Sequence, residues 1–159
     1  MNEGHLNIFI SCGSRYNPWV RYALKYLPPD ILLEFGNKLA FFSTAEKDAC
    51  RVARAICEQR DIILLSERIL PESGDDSKAR YFVFAVLHEI AHAVKRHPSP
   101  LLDRLSQEEI AAQQKEADDL ALSWFNDYGE KNKHLNIAPL TLGEIEKAKS
   151  KNQALMKNE

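Results

Sequence analysis

The segment YFVFAVLHEIAHAVKRH, Tyr81 to His97, most restricts what this chain can fold into. Between Phe82 and Ala93 apolar side chains run almost all the way round a helix instead of along one stripe. Such a helix has to be enclosed by protein on most sides. The same turns carry His88, Glu89 and His92. An unmatched buried polar group costs about 1–3 kcal/mol, so the fold must bring partners to all three.

Helix geometry divides the work among them. Residues four apart lie roughly 40° apart around the axis and about 6 Å along it. His88 and His92 can therefore each offer one ring nitrogen to a single ion. Glu89, about 100° round from His88, is poorly placed to share that chelation but well placed to hold a water beside it. This is the logic of HExxH, in which two imidazoles bind Zn²⁺ and the adjacent carboxylate acts as general base on the attacking water. The bland alternative is a pair of solvent-facing histidines on an ordinary amphipathic helix, which the scarcity of polar flanking residues disfavours.

The motif helix is predicted from about Lys78 to Arg96, after the polar turn PESGDDS and a cap at Asp75, Asp76 or Ser77, with Pro98 and Pro100 ending it. Upstream, LNIFIS reads as a strand, Asn17–Pro18 as a helix start and Pro28–Pro29 as its stop. Ile31 to Thr44 reads as a hairpin turning at Gly36–Asn37, Ala45 to Arg60 as a helix, and DIILLS, Asp61 to Ser66, as a strand buried on both faces. Downstream, SQEE at Ser106 to Glu109 has the form of a capping box, opening a helix that stops near Tyr128 with Gly129 as its C-terminal signal. One domain over residues 1–138 is expected, with 139–159 as a charged helical tail that frays.

A catalytic zinc site generally has three protein ligands. His97 lies nine residues after His88, about 180° round the axis if the helix continued. It is read instead as a C-terminal helix residue near free carbonyls, or as a substrate contact. On the second helix Ile110, Ala117, Leu120, Ala121, Trp124 and Tyr128 form an apolar stripe that can pack on the motif helix, with Glu116 and Asp118 flanking it on opposite sides. Glu116 is the preferred third ligand and Asp118 the carboxylate that orients a histidine. A neighbouring carboxylate could take the ligand place, and a solvated acidic face is the bland reading of EADD. Tyr81, His97 and Arg96 are candidates to steady a developing oxyanion, although a core role suits Tyr81 better.

LHEIAHAV followed by KEADDLALSWF resembles the ImmA/IrrE family of bacterial and phage metallopeptidases, gluzincin-like HExxH proteins. The resemblance implies a compact α+β zincin-like domain, a small mixed sheet packed on the HExxH helix and on a second metal-ligand helix. It implies Zn²⁺ held by His88, His92 and Glu116, with Glu89 as catalytic base. It also implies a protein or peptide substrate, such as a transcriptional repressor carrying a helix-turn-helix. The chain departs from the pattern at Gln114, where many members carry a glutamate.

Bulk properties bound the alternatives. A net charge of -2 gives no electrostatic case for nucleic acid, which disfavours a SprT-like, nucleic-acid-associated protease. No run reaches the roughly 18 apolar residues of a membrane helix. Three cysteines without CxxC spacing argue against a disulfide framework, so a cytoplasmic setting is expected. SCGSRYN, Ser11 to Asn17, reads as a strand-to-helix turn, since nothing nearby supplies a base for its cysteine or serine. The rival to an enzyme is a non-catalytic metal-binding regulatory or interaction module with a vestigial protease site.

Overall fold

A computed structural model describes residues 8–45, 49–52, 60–72, 74–100 and 103–156. The elements in order are β1 (Phe9–Ser11), α1 (Asn17–Leu24), α2 (Pro29–Phe35), β2 (Leu39–Thr44), β3 (Ala49–Val52), β4 (Asp61–Ser66), α3 (Asp76–Val94), α4 (Gln107–Lys131) and α5 (Leu142–Met156). The chain is α+β. Its four-stranded sheet has the order β1-β2-β4-β3. β1, β2 and β4 run parallel, and β3 lies antiparallel on the β4 edge, so the sheet is mixed.

Two readings of the N-terminal half need correction. Ile31 to Phe35 is helix, and β2 pairs in parallel with β1, so no hairpin spans Ile31 to Thr44. Pro29 at the first helical turn fixes φ, and Asp30 complements the positive end of the dipole. A two-residue hairpin turn needs positive φ, whereas Gly36 sits at φ -52° and opens a 3₁₀ turn. Ala49 to Val52 is strand, not helix. The rest of that predicted helix, apart from Ala45 and Arg60, lies outside the described residues, as do Leu6 and Asn7 of the first predicted strand.

β3 is held by a buried ion pair that periodicity does not register. Arg51 points inward, with Nη1 3.5 Å from Asp61 Oδ1. Its Nη2 donates to the carbonyl of His97, and the Arg51 carbonyl accepts from Ser99 Oγ at 3.2 Å. One residue thus joins the edge strand to β4 and to the segment leaving α3. β4 is a strand as expected, but Ile62 and Leu64 are only half-buried, so one of its faces is incompletely covered.

α3 packs against β3 and β4, against α1, and most extensively against α4. Phe82, Val86, Leu87, Ile90 and Ala91 are fully buried, and Asp75 caps its start by accepting from Lys78 N–H at 2.9 Å. Asn17 is not the cap of α1; its side chain instead accepts from the Cys12 N–H at 3.1 Å, bracing the β1–α1 turn. The capping box at Ser106 and Glu109 is present in both directions. α4 continues through Gly129 to Lys131. Gly129 packs beside Ile137, whose carbonyl would lie 3.4 Å from a Cβ placed there.

The C-terminal segment docks where fraying was expected. Leu140 and Ile145 are buried in the common core. Asn126 bonds the Leu140 backbone at both its N–H and its carbonyl, and Arg80 donates to the carbonyls of Ala138 and Pro139. No described helix is long and apolar enough to cross a membrane.

Arg51→Ala is expected to lower the unfolding free energy by about 3–5 kcal/mol, because it leaves Asp61 buried without its counter-charge. Equilibrium urea denaturation measures this, and a loss below about 1 kcal/mol would show that the pair does not anchor β3.

Candidate metal centre

His88, Glu89 and His92 are each buried on α3. The Nε2 atoms of His88 and His92 face each other at 3.1 Å. Two nitrogens bound to one tetrahedral zinc at ordinary Zn–N lengths stand about 3.3–3.4 Å apart, so the pair is spaced for a shared ion. Nδ1 of His88 lies 2.8 Å from Asp118 Oδ1, at ion-pair distance but not aligned as a hydrogen bond. Burial above all, with His88, His97 and Arg51 nearby, pushes the His92 imidazole down to about 3, leaving its ring neutral.

Asp118 is shared. Lys149 of α5 places Nζ 3.2 Å from each of its carboxylate oxygens. Burial works to raise the Asp118 carboxyl, but His88 and Lys149 together hold it below the usual range. It therefore faces His88 as a carboxylate.

Glu116 does not join the histidine pair. Its oxygens lie 2.8 Å from Lys95 Nζ and 2.9 Å from His97 Nε2, and half of its side chain is exposed. Hydrogen bonds from Lys95 and His97 lower its carboxyl pKa. Beside the facing Nε2 atoms α4 places Gln114, whose amide nitrogen lies 3.3 Å from His92 Nε2. Among the described residues no group of three or more His, Cys, Asp or Glu side chains is arranged to hold a metal ion. The two histidines fit zinc as a chelating pair, and the place beside them is taken by a neutral amide.

His97 is closer to the site than a continuing helix would allow, and the chain reversal explains this. α3 ends in a Schellman arrangement: His97 N–H bonds the His92 carbonyl, Arg96 N–H bonds that of Ala93, and Arg96 takes φ 54°. The reversal swings His97 back over the last turn, bringing its Nδ1 to 2.8 Å from His92 Nδ1. The proline after it was a visible signal for the stop, but no residue type marked the left-handed turn, since Arg96 stands where glycine is usual.

Two cavities, of about 220 and 230 Å³, flank this group. Glu89, Gln114 and Ala49 line both; His92 and Arg51 are among the other residues of one, and His88, Tyr81 and Lys149 among those of the other. Burial raises the Glu89 carboxyl above its ordinary range, only partly offset by nearby His88, Arg51 and Lys149. A carboxylate so placed is a stronger base than an exposed one. Tyr81 is buried, with its ring 6.4 Å from that of Phe84. A larger depression of about 500 Å³ lies at the β1–α1 turn, lined by Cys12, Arg15 and Arg68 among others. Burial pushes the Cys12 thiol up to about 11, which suits a structural cysteine and not a nucleophile.

No family model, curated protein or solved structure was found to match the chain.

The amide at position 114 makes a direct prediction. Gln114→Glu would place an anionic donor beside His92 and is expected to tighten Zn²⁺ binding by at least about tenfold, as added ligand charge does at other sites. Competition with a chromogenic chelator reads this out, and unchanged affinity would place Gln114 outside the coordination sphere.

Proposed function

We propose that the protein is a zinc-dependent metallopeptidase of zincin-like architecture, akin to the ImmA/IrrE family. The observation that carries this reading is the facing Nε2 pair of His88 and His92, with Glu89 in the adjoining cavities. When bound, zinc would supply Lewis acidity, lowering the pKa of water and polarising a carbonyl. His88 and His92 would hold it from one face of α3, and Asp118 would fix the ring of His88. Glu89 would take the proton of the attacking water and pass it to the leaving amine. Burial suits it to that task by raising its affinity for the proton. The substrate would be a protein or peptide, and by kinship a helix-turn-helix repressor.

A second reading, a metal-binding regulatory or interaction module without turnover, draws support from Gln114. A neutral amide where a carboxylate would complete the site weakens the hold on metal. Glu89 favours the enzyme, since a site that only binds has no need of a base.

The test compares wild type and Glu89→Gln, each loaded with Zn²⁺, on helix-turn-helix repressors and on an unstructured peptide library. Wild type is expected to cleave, and the variant to lose about 10²–10⁴-fold in rate while keeping its zinc. Equal cleavage by both would remove Glu89 as the base. A zinc-loaded wild type that cleaves nothing would favour the module.

A further inference from the structure

His88, His92 and His97 form a continuous chain of imidazoles with a carboxylate at each end. The carboxylates determine where the protons lie. Glu116 Oε2 can only accept, so His97 Nε2, 2.9 Å away, carries a proton. A His97 ring carrying that proton alone has its lone pair on Nδ1. Since His92 Nδ1 is 2.8 Å from that lone pair, His92 donates there and leaves its own Nε2 bare. At the other end Asp118 Oδ1 lies 2.8 Å from His88 Nδ1, close but not aligned as a hydrogen bond, and a proton held on Nδ1 by that charge leaves His88 Nε2 bare as well.

The two bare nitrogens are the pair that faces across 3.1 Å. Two lone pairs so aimed repel unless a cation lies between them. Gln114 supports the assignment from another helix, because its amide nitrogen, a donor only, is placed 3.3 Å from His92 Nε2.

We propose that His97 and Glu116 are positioning residues for His92, holding its proton on Nδ1 so that Nε2 is free to coordinate metal beside His88. This rests on the reading of His88 and His92 as metal ligands. Glu116 acts here at one remove, through His97, and Lys95 at 2.8 Å holds its second oxygen. The Schellman turn at Arg96 and the grip of Arg51 on the His97 carbonyl keep the relay in register.

The experiment uses the full chain, ¹⁵N-labelled and metal-free, near neutral pH. Long-range ¹H–¹⁵N spectra are expected to show His92 protonated at Nδ1 and bare at Nε2. Glu116→Ala changes a half-exposed side chain and should leave cooperative unfolding unaltered. It is expected to shift His92 toward the Nε2–H form and to weaken Zn²⁺ binding about 10–100-fold, as loss of a partner behind a ligand does elsewhere. His97→Phe should do the same, and His97→Asn, whose amide oxygen can accept near the Nδ1 place, should restore most of the affinity. A wild-type His92 protonated at Nε2, or a Glu116→Ala protein with both tautomer and affinity unchanged, would overturn the proposal. If wild type binds no Zn²⁺, the metal reading fails, and the spectra alone still decide whether His97 and Glu116 set the tautomer.

Discussion

Enclosure of α3 is the constraint on which the rest of the structure depends. The helix is buried from Tyr81 to Ala93, including three ionisable side chains in its last turns. Once apolar packing against β3, β4, α1 and α4 has placed it there, each of those groups must find a partner within the fold. Asp118 answers His88, and His97 answers His92. Glu89 faces the cavities with Arg51 and Lys149 in its field, its carboxyl pKa raised by burial. The polar architecture of α4, of the turn after α3 and of α5 can be read as the response to that burial.

Elements whose local signals agree with their surroundings were readable from sequence. α3 and α4 combine length, caps and apolar spacing, and both lie close to their predicted bounds. The errors fall where a short apolar stretch suits two conformations. Ile31 to Phe35 has the composition of a strand, yet Pro29 and Asp30 open it as a helix, and the crossover makes β1 and β2 parallel. Ala49 to Val52 matches a helical interval, but the need to pair Arg51 with Asp61 and to cover the β4 edge makes it a strand. A local helix-start signal prevailed in the first case, and tertiary demand over local periodicity in the second.

At the site, helix spacing sets His88 beside His92, whose Nε2 atoms lie 3.1 Å apart, and Asp118 Oδ1 lies 2.8 Å from His88 Nδ1. Glu116 and His97 hold each other's anticipated neighbourhood: the glutamate expected near the metal pair reaches His97, and the histidine expected at a helix end touches His92. Spacing contained a clue. Gln114 and Asp118 are four apart and so share a face of α4, whereas Glu116, two residues from each, is turned about 200° away. Choosing Asp118 for the histidine side already disqualified Glu116. Gln114 stands out in the sequence as an amide where a glutamate was expected, but a neutral amide gives no signal that it would contact His92. Lys149 was hidden because contact between α5 and α4 is not encoded in any motif.

The polar group and the walls around it come from different parts of the chain. Every ring, carboxylate and amide in the relay belongs to α3, α4 or the turn between them, from His88 to Asp118. The cavity walls add Ala49 and Arg51 from β3, and Lys149 and Gln153 from α5. These two layers are separate in the sequence. Substitutions in β3 or α5 that leave Arg51 and Lys149 in place can reshape what enters the cavities without disturbing the histidine chain. The shape of the cavities can therefore be altered separately from the helical pair beneath them.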